Sequence, residues 1–295
     1  MKYAYFPGCS LESTGKEFGE STHLVAEALG VELVEIPDWN CCGATSAHNL
    51  DHTLSVALPA RNLGLAEKMG LDIVAPCAAC YNRMRSAEVE LRENANLRDE
   101  INAKLENPVS GKSTVKSALE VFTTPEIIAR ITERVRKPLA GLKPACYYGC
   151  LLIRPPKVLG FDDPESPQTL DEAMRAVGAK PVEWFFKNEC CGGSFGVTRS
   201  DIVTKLTGDI ISNAKKQGAN CIVTACPLCM TNLETRQVAA GKARNEDLSM
   251  PVFYFTELIG LAMEVPGVKK CFASHLVDVN PALDVIGREP VAVSE

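Results

Sequence analysis

Ten of the 13 cysteines in this chain form two copies of one spacing pattern. Each copy has a single cysteine, a Cys-Cys-Gly triplet further along the chain and a CxxC pair at its end. The copies are Cys9, Cys41, Cys42, Cys77 and Cys80 (the first set), and Cys150, Cys190, Cys191, Cys226 and Cys229 (the second set). Five thiols exceed the four that a tetrahedral zinc ion or a cubane iron–sulfur cluster takes. We therefore expect each set to hold an iron–sulfur centre with an unusual ligand arrangement.

The parts of the pattern have distinct chemical uses. The two thiols of a CxxC pair can bind one cluster where a turn enters a helix, and the N–H groups of that helix start favour thiolate and sulfide charge. Adjacent cysteines point apart, so they suit a distorted or extended cluster better than a compact cubane. Gly43 and Gly192 are expected to allow close approach of the backbone, because a β-carbon would crowd the inorganic sulfides.

Other uses of the cysteines remain as alternatives. A structural zinc site would leave one thiol idle in each set, and a thioredoxin-like redox pair does not need the other three cysteines. Cys146, Cys221 and Cys271 lie outside the pattern and are expected to be small buried hydrophobic residues. His48, six residues after Cys42, is a candidate proton donor. The segment 110–114 has the tail of a phosphate-binding loop, but it lacks the earlier glycine and the preceding strand.

The segments between the cysteines predict an α/β fold that is duplicated within the chain. In each half, a strand precedes the first cysteine, the adjacent pair and the CxxC pair, and helices connect the strands. The expected strands are 2–6, 31–36 and 71–75, then 145–148, 181–186 and 221–225, and the expected helices include 13–29 and 170–177. The similarity between 121–126 and 252–257, each heading a helix, extends the repeat. Parallel strands would bring the cysteines together at the carboxyl edge of a small sheet in each half.

Length and proline positions divide the chain into two domains, residues 1–140 and 141–295. The proline-rich and acidic segment 154–168 is expected to be a surface loop or a lid. Formal charge is −6, from 31 basic and 37 acidic residues, so nucleic acid is not an expected partner. The N-terminus lacks a secretory pattern and no long apolar stretch occurs, which predicts a cytoplasmic protein without membrane insertion.

The two complete cysteine sets, the opening segment 3–9 and the proline beside each CxxC pair resemble the CCG-domain family. The length and layout of nearly the whole chain resemble the B-type subunit of the heterodisulfide reductases. This resemblance implies two non-cubane [4Fe-4S] clusters, one bound by each five-cysteine set, in an N-terminal and a C-terminal cluster-binding domain. It also implies that the clusters face each other across a pseudo-twofold interface, with a disulfide substrate between them. Implied partners are the ferredoxin-like C-type subunit and the flavin-bearing A-type subunit of the same complex.

Reduction of a disulfide takes two electrons, and two facing one-electron centres can each supply one. The resemblance thus implies, as the predicted function, reduction of a disulfide to two thiols, with either the heterodisulfide of coenzymes M and B or a bacterial equivalent as substrate. Arg154, Lys157 and Arg199 are candidates for binding anionic substrate ends. The alternatives are a protein that passes electrons to a quinone or another partner without disulfide chemistry, and a scaffold stabilised by zinc.

Overall fold

The computed structural model describes residues 1–44 and 47–287 and contains two parallel sheets, one in each half of the chain. The strands are β1 (Lys2–Tyr5), β2 (Glu32–Glu35), β3 (Ile73–Ala75), β4 (Val115–Ser117), β5 (Pro144–Tyr147), β6 (Cys221–Thr224) and β7 (Val252–Tyr254). The first sheet has the strand order β2-β1-β3-β4 and the second has β5-β6-β7, with parallel pairing throughout. The predicted α/β class with two small parallel sheets is confirmed.

Helices follow most strands and cover the sheets. Those of the first half are α1 (Gly8–Leu11), α2 (Lys16–Ala28), α3 (Ala47–Leu50), α4 (His52–Met69), α5 (Ala78–Glu93), α6 (Ala95–Asn102), α7 (Ala118–Phe122) and α8 (Pro125–Arg134). Those of the second half are α9 (Thr169–Ala176), α10 (Ser200–Lys216), α11 (Pro227–Thr235), α12 (Gln237–Arg244), α13 (Phe255–Ala262), α14 (Val268–Cys271) and α15 (Asn280–Leu283), with 3-10 turns at Gly193–Gly196 and Phe272–Ser274.

Local sequence explains where these helices begin and end. The Asp51 carboxylate accepts a hydrogen bond from the Leu54 N–H and so caps the start of α4. Gly70 ends α4 in the left-handed conformation, with φ of 69°, which glycine adopts without a steric penalty. Helix α4 therefore stops where the chain must turn back toward β3.

Two sequence expectations about the strands are wrong. Residues 181–186 do not form a strand, and the buried Trp184 side chain donates its N–H to the Cys146 carbonyl of β5. The second sheet therefore has three strands. The counterpart of β7 is β4 and not segment 121–126, since Val121 and Phe122 lie inside α7. Sheet register places Ser117 beside Ala75 and Tyr254 beside Thr224. Ala75 and Thr224 both lie two residues before a CxxC pair.

The two halves pack directly against each other through α2 and α13. The Phe18 ring stacks on the Tyr254 ring with centroids 4.3 Å apart, and the Ser21 and Thr256 hydroxyls are 2.7 Å apart in a hydrogen bond. All four residues are buried. This contact fixes the carboxyl edge of the second sheet next to the first half. The domain boundary at residue 140 stays a prediction.

Segment 154–168 is irregular and exposed or half-buried over most of its length, as predicted for a surface loop, but it is attached to the first half. The Asn82 side chain donates to the Leu151 and Arg154 carbonyls, and the Arg85 guanidinium donates to the Val158 carbonyl. Phe161 packs edge-on against Tyr81 of α5, with centroids 6.2 Å apart. The segment is therefore held against the helix that follows the first CxxC pair.

Candidate metal centres

The first cysteine set lies at the carboxyl edge of the first sheet, as predicted. Cys9 lies in α1 after β1, Cys41 and Cys42 lie in the loop after β2, and Cys77 caps α5 after β3. The sulfur atoms of Cys42 and Cys80 are 3.4 Å apart. Each member thus follows a strand, because the carboxyl ends of parallel strands meet at one edge.

The second set repeats this arrangement. Cys150 follows β5, Cys190 and Cys191 lie in the loop before the 3-10 turn, and Cys226 caps α11. The sulfur atoms of Cys191 and Cys229 are 3.6 Å apart, and those of Cys150 and Cys190 are 3.9 Å apart. The distance from the second cysteine of the adjacent pair to the second cysteine of the CxxC pair is therefore similar in the two sets. This similarity agrees with one backbone geometry in both halves.

A glycine before the first cysteine of each set brings the backbone against the CxxC pair. Gly8 and Gly149 have φ of +64° and +66°. An added β-carbon would lie 2.8 Å from the Cys80 sulfur in the first set and 3.0 Å from the Cys229 sulfur in the second. Both positions require glycine on conformational and steric grounds.

The glycines after the adjacent cysteines, Gly43 and Gly192, are needed for a different reason from the one expected. A β-carbon on Gly43 would meet the Leu58 side chain at 2.9 Å, and one on Gly192 would meet Val203 at 2.7 Å. Both residues also have positive φ. The contacts are thus with the following helix and not with the space between the cysteines.

Hydrogen bonds within each set favour the thiolate form of particular cysteines. Those from Cys41 and Cys80 lower the pKa of the Cys42 thiol to about 3, against the effect of burial. In the second set, a hydrogen bond with Cys150 lowers the pKa of Cys190 to about 6. One from Cys229, aided by Asn232, lowers the pKa of Cys191 to about 7. Thiolates at these positions are the form that binds metal.

The donors in each set are all sulfur, and all 13 cysteines are free. Sulfur-only donor sets suit iron–sulfur clusters and zinc. Within residues 1–44 and 47–287, no three His, Cys, Asp or Glu side chains are close enough to hold a single metal ion. A cluster places its own irons and sulfides between its ligands, so its thiolates need not converge on one point. The residues present therefore fit an iron–sulfur centre in each half.

Asparagine side chains, which the sequence analysis missed, hold the cysteine loops. The Asn62 amide bonds to the Asn40 N–H and carbonyl directly before Cys41. In the second half, the Asn232 amide donates to the Gly193 carbonyl at 3.0 Å and to the Cys191 sulfur at 3.5 Å. Asn232 lies three residues after Cys229, on the helix that begins at the CxxC pair. The position of Asn232 three residues after Cys229 was the sequence signal from which its role could have been predicted.

Each half contributes to the surroundings of the other half's cysteines. Helix α1, which carries Cys9, contacts α11, which carries Cys229. Reciprocally, Asn82, two residues after Cys80, donates to the carbonyl of Leu151, the residue after Cys150. The first cysteine of each set therefore lies beside the CxxC helix of the other. The cysteines Cys9, Cys41 and Cys190 are exposed, so solvent reaches both sets.

The family model for the CCG cysteine-rich domain matches residues 3–85 and 145–234, which contain all ten of these cysteines. The chain belongs to the CCG cysteine-rich domain family. The two matched regions of this CCG protein also contain both parallel sheets except β4 and β7. The tandem match agrees with the duplicated backbone geometry described above.

Curated relatives of this CCG protein cover almost its whole length. The 8-methylmenaquinol:fumarate reductase membrane anchor subunit of Wolinella succinogenes is 35% identical, covering 95% of this chain and 98% of that protein. The B-type subunit of the ferredoxin:CoB-CoM heterodisulfide reductase of Methanosarcina mazei is 30% identical, covering 89% of each. A solved structure of a hypothetical protein from Helicobacter pylori has the same fold, with a TM-score of 0.69 and 14% identity, covering 94% of this chain and 52% of that one.

The two arginines proposed to bind substrate are paired with carboxylates of the chain. The Arg154 side chain pairs with Glu165 at 3.0 Å, and Arg199 pairs with Asp201 at 2.9 Å. Lys157 is exposed. His48 belongs to α3, but its side chain is outside the part of the chain that the structure describes. Their functional roles stay predictions.

The three cysteines outside the sets are fully or almost fully buried: Cys146, Cys221 and Cys271. Burial raises the pKa of each of these thiols, by the largest contribution in every case. A neutral buried thiol is a small hydrophobic group, as predicted. Within the described residues, no helix is both long and apolar enough to cross a membrane.

Proposed function

We propose that this chain is the disulfide-reducing component of a heterodisulfide-reductase-like complex. The observation that supports this proposal is the reciprocal contact between the segments that carry the two cysteine sets, in which each first cysteine lies beside the CxxC helix of the other half. The first and second sets would each hold one non-cubane [4Fe-4S] cluster through their five thiolates. Each cluster, when bound, supplies one electron, so that the pair provides the two electrons that cleavage of an S–S bond consumes.

The reaction joins one disulfide, two electrons and two protons to give two thiols. Arg154, Lys157 and Arg199 would bind anionic ends of the substrate, for which Arg154 and Arg199 must exchange their present carboxylate partners. His48 would deliver a proton to a departing sulfur. A His48→Ala variant with unchanged turnover across pH would remove that role.

The electrons would come from other proteins of the same complex. We assign a ferredoxin-like C-type subunit and a flavin-bearing A-type subunit as partners, because relatives of this chain belong to multi-subunit reductases. The chain has no four-cysteine ferredoxin run of its own, which agrees with an external relay. A cytoplasmic location is part of this proposal.

The test begins with anaerobic purification and metal analysis of the full chain. About eight irons per chain are expected for two four-iron centres, whereas zinc would support the scaffold alternative. Electron paramagnetic resonance is then recorded after oxidation, with and without the coenzyme M–coenzyme B heterodisulfide and with other disulfides. A signal that appears only with one disulfide supports the proposal. Full iron loading with no response to any disulfide, and no thiol formed, contradicts it.

A second function has one specific observation in its favour. The Wolinella relative, at 35% identity over 95% of this chain, carries menaquinol in its name. This chain would then exchange electrons with a quinone and cleave no disulfide. Oxidation of a soluble menaquinol analogue by the loaded protein, with no disulfide-dependent signal, would favour this function over the first.

A further inference from the structure

Tyr254 has a buried hydroxyl that no group in the described residues satisfies. The residue is fully buried at the end of β7, and its hydroxyl has no hydrogen-bond partner there. Leaving such a group unpaired costs about 1–3 kcal/mol. Native proteins rarely accept this cost without a partner such as a water, an ion or a ligand. The position of the hydroxyl therefore indicates where a missing partner would lie.

The hydroxyl lies between the turn after Cys9 and the start of the second CxxC helix. It is 3.3 Å from the point that a β-carbon on Gly15 would occupy, and the Pro227 side chain is 3.1 Å from that same point. Pro227 directly follows Cys226. Tyr254 also pairs in register with Thr224, two residues before Cys226, and the buried Thr224 hydroxyl is likewise unpaired among the described residues.

Tyr254 remains a hydrogen-bond donor in this environment. Burial is the main cause that raises its pKa, and the charges of Glu17, Glu257, Cys226 and Cys77 raise it further. A protonated hydroxyl donates well to sulfur that carries negative charge. Pro227, which directly follows Cys226, lies near the same point as the hydroxyl, and Cys226 contributes more to the rise in pKa than Cys77 of the first set does. The sulfur group favoured as the partner is therefore the centre bound by the second cysteine set.

The first half has a serine at the position that corresponds to Tyr254. Its corresponding residue is Ser117, which pairs with Ala75 two residues before Cys77. The Ser117 hydroxyl accepts the Glu120 N–H at 3.0 Å and so caps α7. A serine side chain is also too short to reach as far as a tyrosine hydroxyl. The two halves therefore share the cysteine ligands, but a tyrosine occupies this strand end in the second half alone.

We propose that the Tyr254 hydroxyl donates a hydrogen bond to a sulfur atom of the centre bound by the second cysteine set, and gives that centre a higher reduction potential than the first. The inference rests on the proposed function, since it needs an iron–sulfur centre in each set. A hydrogen bond to a cluster sulfur stabilises the more negative, reduced form. The second centre is then reduced before the first.

The test compares Tyr254→Phe with Tyr5→Phe in the anaerobically purified full chain. Tyr5 is a matched control, because it is also buried with an unpaired hydroxyl, but burial and Glu35, with no cysteine, raise its pKa. Phenylalanine keeps the ring stacked on Phe18. The midpoint potential of each centre is measured by titration followed with electron paramagnetic resonance, and a Cys226→Ser variant identifies the signal of the second set.

Tyr254→Phe is expected to lower the potential of the second centre alone. The reduced-to-oxidised ratio at fixed potential should fall about tenfold, which is about 59 mV for one electron. Tyr5→Phe should leave both potentials unchanged. An unchanged second centre, an equal shift of both centres, or the same shift in Tyr5→Phe would overturn the proposal.

A second measurement covers the case in which Tyr254→Phe fails to load iron. Wild-type protein grown and purified in D2O is compared with protein from H2O by electron-nuclear double resonance. A hydroxyl proton coupled to the second centre is expected, and its absence would overturn the inference. Failure of the proposed function is distinguishable, because a chain without iron is recognised by metal analysis before any titration.

Discussion

Replacing His275 with glutamine should remove a buried, pH-dependent contribution to stability. His275 lies between the carboxylates of Glu234 and Glu257, 3.0 Å from each, and all three side chains are almost fully buried. Burial alone would lower the pKa of His275, but these hydrogen bonds and charges raise it from 6.5 to about 10. The folded state therefore binds a proton more tightly than the unfolded state does.

The expected magnitude follows from this difference in pKa. At about 1.36 kcal/mol per unit, protonated His275 contributes about 4 kcal/mol at pH 7 and about 1 kcal/mol at pH 9. The contribution is complete below pH 6.5 and is lost as the pH rises through 10, because the folded-state pKa is the raised one. Removing one partner of a buried ion pair costs about 3–5 kcal/mol, which agrees with the value at pH 7.

The assay is urea unfolding of the loaded full chain under anaerobic conditions, followed by tryptophan fluorescence at pH 7 and pH 9. The difference in free energy of unfolding between wild type and His275→Gln should shrink by about 3 kcal/mol over this range. His52→Gln is the control, because His52 pairs with Glu90 at the surface and should change stability by less than about 1 kcal/mol. Equal differences at both pH values would refute the reasoning.

Three other changes should each affect one local arrangement. Glu67→Gln should cost about 1.5–3 kcal/mol in urea unfolding at pH 7, because the Glu67 carboxylate accepts hydrogen bonds from residues 110–112. These bonds lower its pKa against the effect of burial, so the loss should fade as the pH falls below 4.5 through that pKa. Asn232→Leu should weaken iron retention against a chelator about 10–100-fold, and wild-type retention would contradict it. Gly149→Ala should cost about 1–2 kcal/mol from its positive φ alone and displace Cys229, so iron analysis should find loss from the second set; full iron content would contradict this.

Sequence reasoning located the cysteines correctly because their placement depends on local signals. Glycine-terminated helices and short apolar strands alternate in most of both halves, and each cysteine except Cys190 and Cys191 follows a strand. A parallel sheet then brings strand ends to one edge, whatever the details of packing. The number of strands was harder to predict, since segment 181–186 has strand-like residues. The Trp184 N–H bonds to a carbonyl of β5 instead, a contact that only the folded chain defines.

The surroundings of the cysteines could not be predicted in the same way. Asn82 and Leu151 are 69 residues apart in the sequence. His275 forms hydrogen bonds with Glu234 and Glu257, which precede it by 41 and 18 positions. Such contacts depend on how the halves pack, which no periodicity records. The loop at 110–114 is another case in which a contact between distant residues could not be predicted from the sequence. It resembles part of a phosphate-binding loop because its N–H groups do bind an anion, but that anion is the Glu67 carboxylate of the same chain.

The two cysteine sets share their ligands but not their neighbours, and this difference bears on how a paired site would work. At the position three residues after the CxxC pair, the second half has Asn232, which donates to the Cys191 sulfur, whereas the first half has Arg83. At the strand end, the second half has Tyr254 and the first has Ser117. Asn232 supplies a side-chain donor to a sulfur of the second set, and the Tyr254 hydroxyl is the second donor proposed above. Because donors to sulfur stabilise reduced centres, the second set should receive electrons more readily than the first, and the two halves would not be interchangeable in a two-electron reaction.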